Sequence, residues 1–298
     1  MYLYEAAALG AAALWALTGL LSTGPAQHLG AIAFNCTRMV LVAMMLSIWV
    51  FLTTGWSSIG EAQMLPLVVS GFVGIFLGDT ALFLTLNRMG PRRTAMLFSL
   101  NAPMSAILGW LLLNEDLTAT QMVGIGLTFL GVLLAIRFGK RKSQLHKWEN
   151  IKGPVWIGVL LGLAAALSQS VGSLIARPIM ETGADPVAAS SIRVGVAALG
   201  LLLLTRLPVR WVKPAGNFTF PVVGLIAVSG LFGMGLGMTL ILFALSGGEV
   251  GIVATLSATT PVLMLPMMWW RTREAPALGA WVGAAGVVAG SALLFASQ

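Results

Sequence analysis

The sequence VSGFVGIFLGDT at residues 69–80 returns as VSGLFGMGLGMT at residues 228–239. Both copies begin with Val-Ser-Gly, carry three glycines at identical spacings and end in threonine. The correspondence extends in both directions to further pairs: Gly19 and Gly172, Pro25 and Pro178, Arg38 and Arg193, and Pro103 and Pro261. We therefore interpret the chain as a tandem duplication with repeats at 1–137 and 154–298 and a basic connector at 138–153.

Composition indicates the medium in which these repeats fold. Hydrophobic residues make up 58% of the chain and charged residues 9%, whereas a soluble domain has about 25% charged residues. Lipid offers no hydrogen-bond partners to the backbone, so apolar runs of about 20 residues are predicted to be transmembrane helices. Ten such runs occur, five in each repeat, at about 3–23, 29–52, 64–86, 93–113, 119–137, 154–176, 185–205, 219–244, 250–270 and 276–296.

An odd number of spans in each repeat fixes how the two repeats are related. The second repeat must start on the side of the bilayer opposite to the first, which predicts an all-α integral membrane protein of two inverted five-helix repeats. All of the 17 lysines and arginines except Arg38, Arg177 and Arg193 fall on one side of this arrangement. The positive-inside rule makes that side cytoplasmic. The connector is then cytoplasmic and both termini are periplasmic.

Several functional classes lack their usual signatures. The sequence has no Walker-type loop, no catalytic triad and no Cys/His cluster with metal-ligand spacing, and Cys36 is its single cysteine. We therefore expect no enzymatic activity, no cofactor, no metal and no ATP. The net charge of +7 fits loops that lie against anionic lipid, so no nucleic-acid partner is expected. A monomer in the lipid bilayer is the working expectation.

The repeated prolines, each followed by an acidic residue, resemble a family signature. Asn101-Ala-Pro103 leads to Glu115 in the first repeat, and Thr260-Pro261 leads to Glu274 in the second. This pattern is similar to that of the EamA family of the drug/metabolite transporter superfamily, and the resemblance covers essentially the whole chain.

Within that family the chain looks most like aromatic amino-acid exporters of the YddG type. The resemblance implies export of neutral and aromatic amino acids, including methionine-like solutes, across a bacterial inner membrane. Two alternatives stay open, namely a multidrug or other metabolite carrier of the same superfamily and a lipid-linked flippase.

The paired prolines also predict two helix breaks near mid-membrane. Proline removes a backbone donor and clashes with the carbonyl four residues earlier, which here belongs to Ser99 or Ser257. Interrupted helices at matching positions of inverted repeats are typical of transport sites, because freed carbonyls can bind polar solute atoms. The alternative is a plain kink stabilised by serine or threonine hydroxyls. The candidate substrate contacts at these breaks are Ser99, Asn101, Ser257 and Thr260, with Pro103 and Pro261 as the helix-breaking residues.

Two further substrate contacts are predicted on the first helix of each repeat. Trp15 lies in the middle of the first span, where an indole offers a flat wall to an aromatic solute. Gln169 belongs to a polar patch in the matching helix, which is costly in lipid and more natural beside a wet cavity. Packing between helices is the alternative explanation for both.

Ionisable residues within the spans require an explanation, because lipid penalises charge. Arg38 and Asp79 lie on consecutive antiparallel spans, so we predict either a structural ion pair or a coupling site at which Asp79 meets a proton or a substrate ammonium. The second repeat has Met238 in place of Asp79. Arg193 is therefore expected to extend toward lipid headgroups or to attract a carboxylate.

The glycine-rich third and eighth spans suggest how a central cavity could open to either side. Small residues allow close helix approach and bending, so Gly78 and Gly237 are predicted hinge positions in an alternating-access cycle. Methionines in the neighbouring spans would give the cavity a flexible wall and a broad specificity.

Overall fold

The computed structural model describes residues 3–113, 118–138, 151–247, 253 and 256–295. All regular structure in these ranges is helical. Glu115 and most of the connector, residues 139–150, lie outside the described residues. The main helices are α1 (Leu3–Leu29), α2 (Ala31–Thr53), α3 (Glu61–Met89), α4a (Pro91–Phe98), α4b (Asn101–Leu113), α5 (Ala119–Phe138), α6 (Val155–Glu181), α7 (Pro186–Arg206), α8 (Phe220–Leu245), α9 (Thr260–Thr272) and α10 (Leu278–Phe295).

The predicted all-helical membrane fold with two repeats is confirmed. Seven helices in the described ranges, α1 to α3 and α5 to α8, are long and apolar enough to cross a membrane, and α10 is a further apolar helix. The fourth predicted span is divided into α4a and α4b. Its counterpart, predicted at 250–270, includes α9 and the helical residues 256–257, whereas 250–252 and 254–255 lie outside the described residues.

Helix packing follows the symmetry expected of inverted repeats. The two fifth helices, α5 and α10, form the largest interface, and the two second helices, α2 and α7, also pack together. The third helix of each repeat packs against the first helix of the other, so that α3 contacts α6 and α8 contacts α1. The repeats are thus interlocked, and the core lies between them.

Glycines allow these helices to approach closely. A Cβ built on Gly131 of α5 would lie 2.7 Å from the carbonyl oxygen of Gly283 in α10, and one built on Gly71 of α3 would lie 2.7 Å from Cα of Arg193. Both distances are shorter than real Cβ contacts. The repeated glycines are therefore packing positions, as expected where helices associate in lipid.

Hydrogen bonds tie the first repeat to the connector at one end of the bundle and to the second repeat at the other. At the end that carries the basic loops, hereafter the basic face, the Lys152 amide of the connector donates to the Arg88 carbonyl at 2.8 Å. At the other end, hereafter the opposite face, Gln63 Nε2 donates to Thr182 Oγ1 at 2.6 Å. These bonds hold segments that are distant in the sequence together at each end.

Two arginines counted among the basic residues of the cytoplasmic side are buried at the start of α4a. Arg92 and Arg93 are 2% and 4% exposed. Arg92 Nη1 donates to the Ala135 carbonyl at 2.7 Å, and Arg93 Nη1 donates to the Met89 carbonyl at 3.1 Å. They thus bind carbonyls near the ends of α5 and α3.

Candidate functional site

A cavity lies between the repeats and extends from the middle of the bundle toward the basic face. A water-sized sphere has about 90 Å³ of space inside it, less than the roughly 300–1,000 Å³ of typical small-molecule sites. Most of its wall is apolar, with a few polar groups. The lining residues are Trp15, Thr18, Gly19, Ser22, Arg38, Asp79, Leu82, Phe83, Leu86, Pro91, Thr94, Ala95, Phe98, Gln169, Gly233, Met234, Met238, Thr260 and Met264.

Trp15 forms an aromatic wall of this cavity and joins α1 to α8. Its indole Nε1 donates to the Gly233 carbonyl at 3.0 Å, and its ring meets Phe98 edge to face with centroids 6.2 Å apart. A Cβ built on Gly237 would lie 3.1 Å from Trp15 Cδ1. The indole therefore needs glycine at that position of α8.

Gly233 lies in an irregular part of α8 that has a counterpart in α3. Residues Leu231–Gly237 and Gly71–Leu77 both form π-helical turns, which are frequent at functional sites. Gly237 ends one turn and Gly78 directly follows the other. Gly78 packs against α6, where a built Cβ would lie 3.2 Å from Ser168 Cβ. Both predicted hinge glycines thus lie at helix irregularities with close neighbours.

The first helix of each repeat supplies three of the polar side chains of the cavity. Gln169 Nε2 donates to Ser173 Oγ at 3.4 Å, and Thr18 Oγ1 donates to the Ser229 carbonyl at 3.5 Å. Ser22 Oγ is buried and has no hydrogen-bond partner among the described residues. These long or missing bonds leave hydrogen-bonding capacity for a solute.

Arg38 and Asp79 form a buried ion pair at the cavity wall. Arg38 Nη2 donates to Asp79 Oδ2 and also to Asn35 Oδ1 at 3.3 Å. The guanidinium lies over the Phe83 ring, 4.4 Å from its centroid, a cation–π contact that is strengthened away from water. The predicted ion pair is thus formed, and the coupling role of Asp79 stays a prediction.

Arg193 does not extend to a membrane surface, so the prediction that it reaches the headgroups is wrong. The side chain is 1% exposed, and its Nη1 donates to the Met238 sulfur at 3.5 Å. The glycines of α3 explain this, because they let α7 approach so closely that the arginine lies between helices.

The structure brings Trp15, Gln169, Thr260, Arg38 and Asp79 together at the cavity. Three other predicted contacts, Ser99, Asn101 and Ser257, are not among its lining residues.

The carbonyls of these three residues, at the two helix breaks, already accept hydrogen bonds within the protein. The chain interrupts at Ser99–Leu100, and the Ser99 carbonyl accepts the Ala102 amide at 3.4 Å. The Asn101 carbonyl accepts a bond from Ser170 Oγ at 2.7 Å, and the Ser257 carbonyl accepts one from Thr260 Oγ1 at 2.8 Å. The carbonyls that the sequence left free thus have partners within the protein. Pro103 and Pro261 lie in the first turns of α4b and α9.

The end of the bundle at the opposite face is closed by small residues. Ala8 and Ala11 of α1 pack against Ile241 and Ala244 of α8, and the rings of Tyr4 and Phe243 lie 5.3 Å apart. The cavity is therefore separated from the opposite face by packed side chains.

Sequence reasoning missed several lining residues, notably Phe98 and Thr94. Phe98 and Thr94 lie on α4a, one turn apart, and share a helical face with the buried Ala95. That spacing signals a common face. It does not say which neighbour the face meets, and only the packing of α4a against α1 and α9 answers that.

The sequence profile of the EamA-like transporter family matches the chain twice, over residues 3–137 and 156–296. The chain belongs to this family. The two matched segments coincide closely with the two repeats, which makes the chain a multi-pass membrane transporter of the EamA type.

Individual relatives agree with this assignment. The uncharacterized transporter YyaM of Bacillus subtilis (strain 168) is 26% identical over 165 residues, 55% of this chain and 52% of that protein. The alignment thus spans about half the length of this curated relative. A protein of known crystal structure shares the EamA-type fold at a TM-score of 0.71 and 17% identity, over 97% of this chain and 95% of that chain. The names of these proteins state no substrate, so their similarity gives no support to the aromatic exporter subgroup.

Proposed function

We propose that this EamA-type transporter exports neutral and aromatic amino acids, including methionine-like solutes, across a bacterial inner membrane. The observation that carries the proposal is the cavity between the repeats, in which an aromatic wall faces polar groups. Trp15 and Phe98 offer rings to an aromatic side chain, whereas Gln169 and Thr260 lie near the same space. An amino acid fits such a cavity, because its polar backbone groups need hydrogen-bond partners and its side chain can pack against the rings.

Alternating access is the proposed mechanism. In the present conformation the cavity reaches the basic face while the opposite face is packed shut. Inverted repeats can exchange their conformations, and this exchange would open the opposite face. The irregular turns at 71–77 and 231–237 are the proposed bending points. With the basic face in the cytoplasm, the termini are periplasmic and the cavity loads from inside the cell.

Counterflow of labelled phenylalanine and alanine in proteoliposomes tests this function. Trp15→Ala should reduce phenylalanine counterflow about tenfold more than alanine counterflow, because an aromatic contact contributes roughly 0.5–1.5 kcal/mol beyond the burial of its surface. Trp49→Ala is the matched control, since Trp49 is 57% exposed at the end of α2 and should leave both rates unchanged. Membrane yield measures folding separately. An equal loss of both solutes in Trp15→Ala would remove the indole from the site, and absence of counterflow in the natural protein would reject the function.

A broader metabolite or multidrug carrier is the second candidate. Met234, Met238 and Met264 line the cavity, and methionine side chains adapt to ligands of different shape. Competition of amino acids, lipophilic cations and sugar nucleotides against phenylalanine separates the candidates. Inhibition by lipophilic cations alone would favour the multidrug carrier.

A further inference from the structure

Arg193 is a buried cation that is poorly satisfied by its surroundings. Its Nη1 donates to the thioether sulfur of Met238 at 3.5 Å. Among the residues that the structure describes, its Nε and Nη2 have no hydrogen-bond partner. A thioether is a weak acceptor, so most of the hydrogen-bonding capacity of this guanidinium is unused.

The neighbouring ion pair does not supply the missing partner. Asp79 attracts Arg193 electrostatically. The Asp79 carboxylate, however, accepts its hydrogen bond from Arg38. Two guanidinium groups and one carboxylate leave one positive charge in excess in this buried cluster. Because a buried charge without a counter-ion is unfavourable, one more anion would stabilise the cluster.

Met238 lies between this cation and the cavity. The side chain lines the cavity on one side and accepts the Arg193 hydrogen bond on the other. Methionine is unbranched and changes rotamer easily. Gly74 packs against the other side of the guanidinium, since a Cβ built there would lie only 3.3 Å from Nη2. Movement of one flexible side chain would therefore connect Arg193 to the cavity.

The symmetry of the repeats indicates when that movement occurs. Arg38 lines the cavity that reaches the basic face, and Arg193 is its counterpart in the second repeat. If the repeats exchange conformations, the cavity at the opposite face is built from the matching positions. Arg193 then takes the place of Arg38 in the wall, with no carboxylate bonded to it.

We infer that Arg193 binds the carboxylate of the transported solute when Met238 withdraws. Substrates are then anions or zwitterions with an apolar body, and the guanidinium can hold their carboxylate with two parallel hydrogen bonds. This inference rests on the proposed transport function and adds the chemical group that the cavity recognises.

Competition binding to the purified full-length transporter tests the inference, with two pairs of compounds that differ in the carboxylate. The pairs are phenylalanine with phenylalaninamide, and 3-phenylpropionate with 3-phenylpropanamide. The natural protein should prefer each carboxylate by about tenfold to a hundredfold, as expected for hydrogen bonds to a charged group. Met238→Asp should bring this ratio close to one, because the new carboxylate pairs with Arg193.

Met238→Asn is the matched control, since it differs from Met238→Asp only in charge and should keep the preference. Arg193→Gln should lose the preference in the same way as Met238→Asp, which provides a second variant if one of them folds poorly. Equal ratios for Met238→Asp and Met238→Asn, or no preference in the natural protein, would overturn the inference. Binding of 3-phenylpropionate without binding of phenylalanine would support the carboxylate site and reject amino-acid transport.

Discussion

Arg38 and Arg193 occupy matching positions of the two repeats but lie in different surroundings. Arg38 bonds to Asp79 and lies over the Phe83 ring, whereas Arg193 has the Met238 sulfur as its contact. The helices around them pack alike. Gly71 of α3 lies against Arg193, and Gly230 of α8 lies against Arg38. The comparison teaches that duplication has preserved the scaffold while one substitution, aspartate against methionine, makes the two halves chemically different.

Removing the carboxylate from the first repeat should have the largest effect on stability. Asp79→Asn leaves Arg38 buried without its counter-ion, and such a loss costs about 3–5 kcal/mol in the free energy of unfolding. Thermal or denaturant unfolding in detergent measures it. Met238→Leu at the matching position is the control and should cost less than about 1.5 kcal/mol. Equal losses would show that the two arginine sites do not differ as their geometry implies.

The seam between α5 and α10 should respond equally from either repeat. Gly131→Val and Gly283→Val should each cost about 1–3 kcal/mol by overpacking, because built Cβ atoms lie 2.7 Å from the Gly283 oxygen and 2.6 Å from Ala135 Cβ, respectively. Unfolding in detergent again provides the measurement. Gly126→Ala is the control on α5, since its Cβ would meet nothing within 4 Å, and it should be neutral or stabilising. A large loss at Gly126 would contradict the packing explanation.

The turns that follow the first helix of each repeat should give the smallest and most similar effects. Gly30 and Gly183 have φ values of +87° and +85°, and a Cβ on either would have open space around it. Gly30→Ala and Gly183→Ala should therefore each cost roughly 1–2 kcal/mol through backbone strain alone. The free energies of unfolding of the two variants check this, and clearly unequal values would mean that the turns are not equivalent.

Much of the fold could be predicted because a chain in lipid must satisfy its backbone hydrogen bonds within helices, so that apolar length indicates the spans. Apolar length fixed most of the spans to within a few residues. Part of the site followed from the cost of polar groups in lipid, which singled out Trp15, Gln169, Arg38 and Asp79. The burial of Arg92 and Arg93 did not follow from the same reasoning, because a count of basic residues near a turn does not reveal the carbonyls within their reach.

The helix breaks show where sequence reasoning ends. Proline at 103 and 261 predicts that a backbone carbonyl loses its donor, but not which group replaces that donor. In the folded chain the Ala102 amide bonds to the Ser99 carbonyl and Thr260 Oγ1 bonds to the Ser257 carbonyl. Both donors lie three residues beyond the carbonyl that they satisfy, so each break forms a tight turn that the proline alone does not reveal.

The sequence by itself determined the membrane medium, the duplication and the inverted relation of the repeats, because these depend on the apolar length, number and spacing of segments. Tertiary structure decided which face the cavity reaches, which arginine has a carboxylate partner and which predicted contacts lie in the cavity wall. Those features depend on which side chains from separate helices come into contact. Away from water, a buried polar group without a partner is costly, so these contacts determine the stable arrangement.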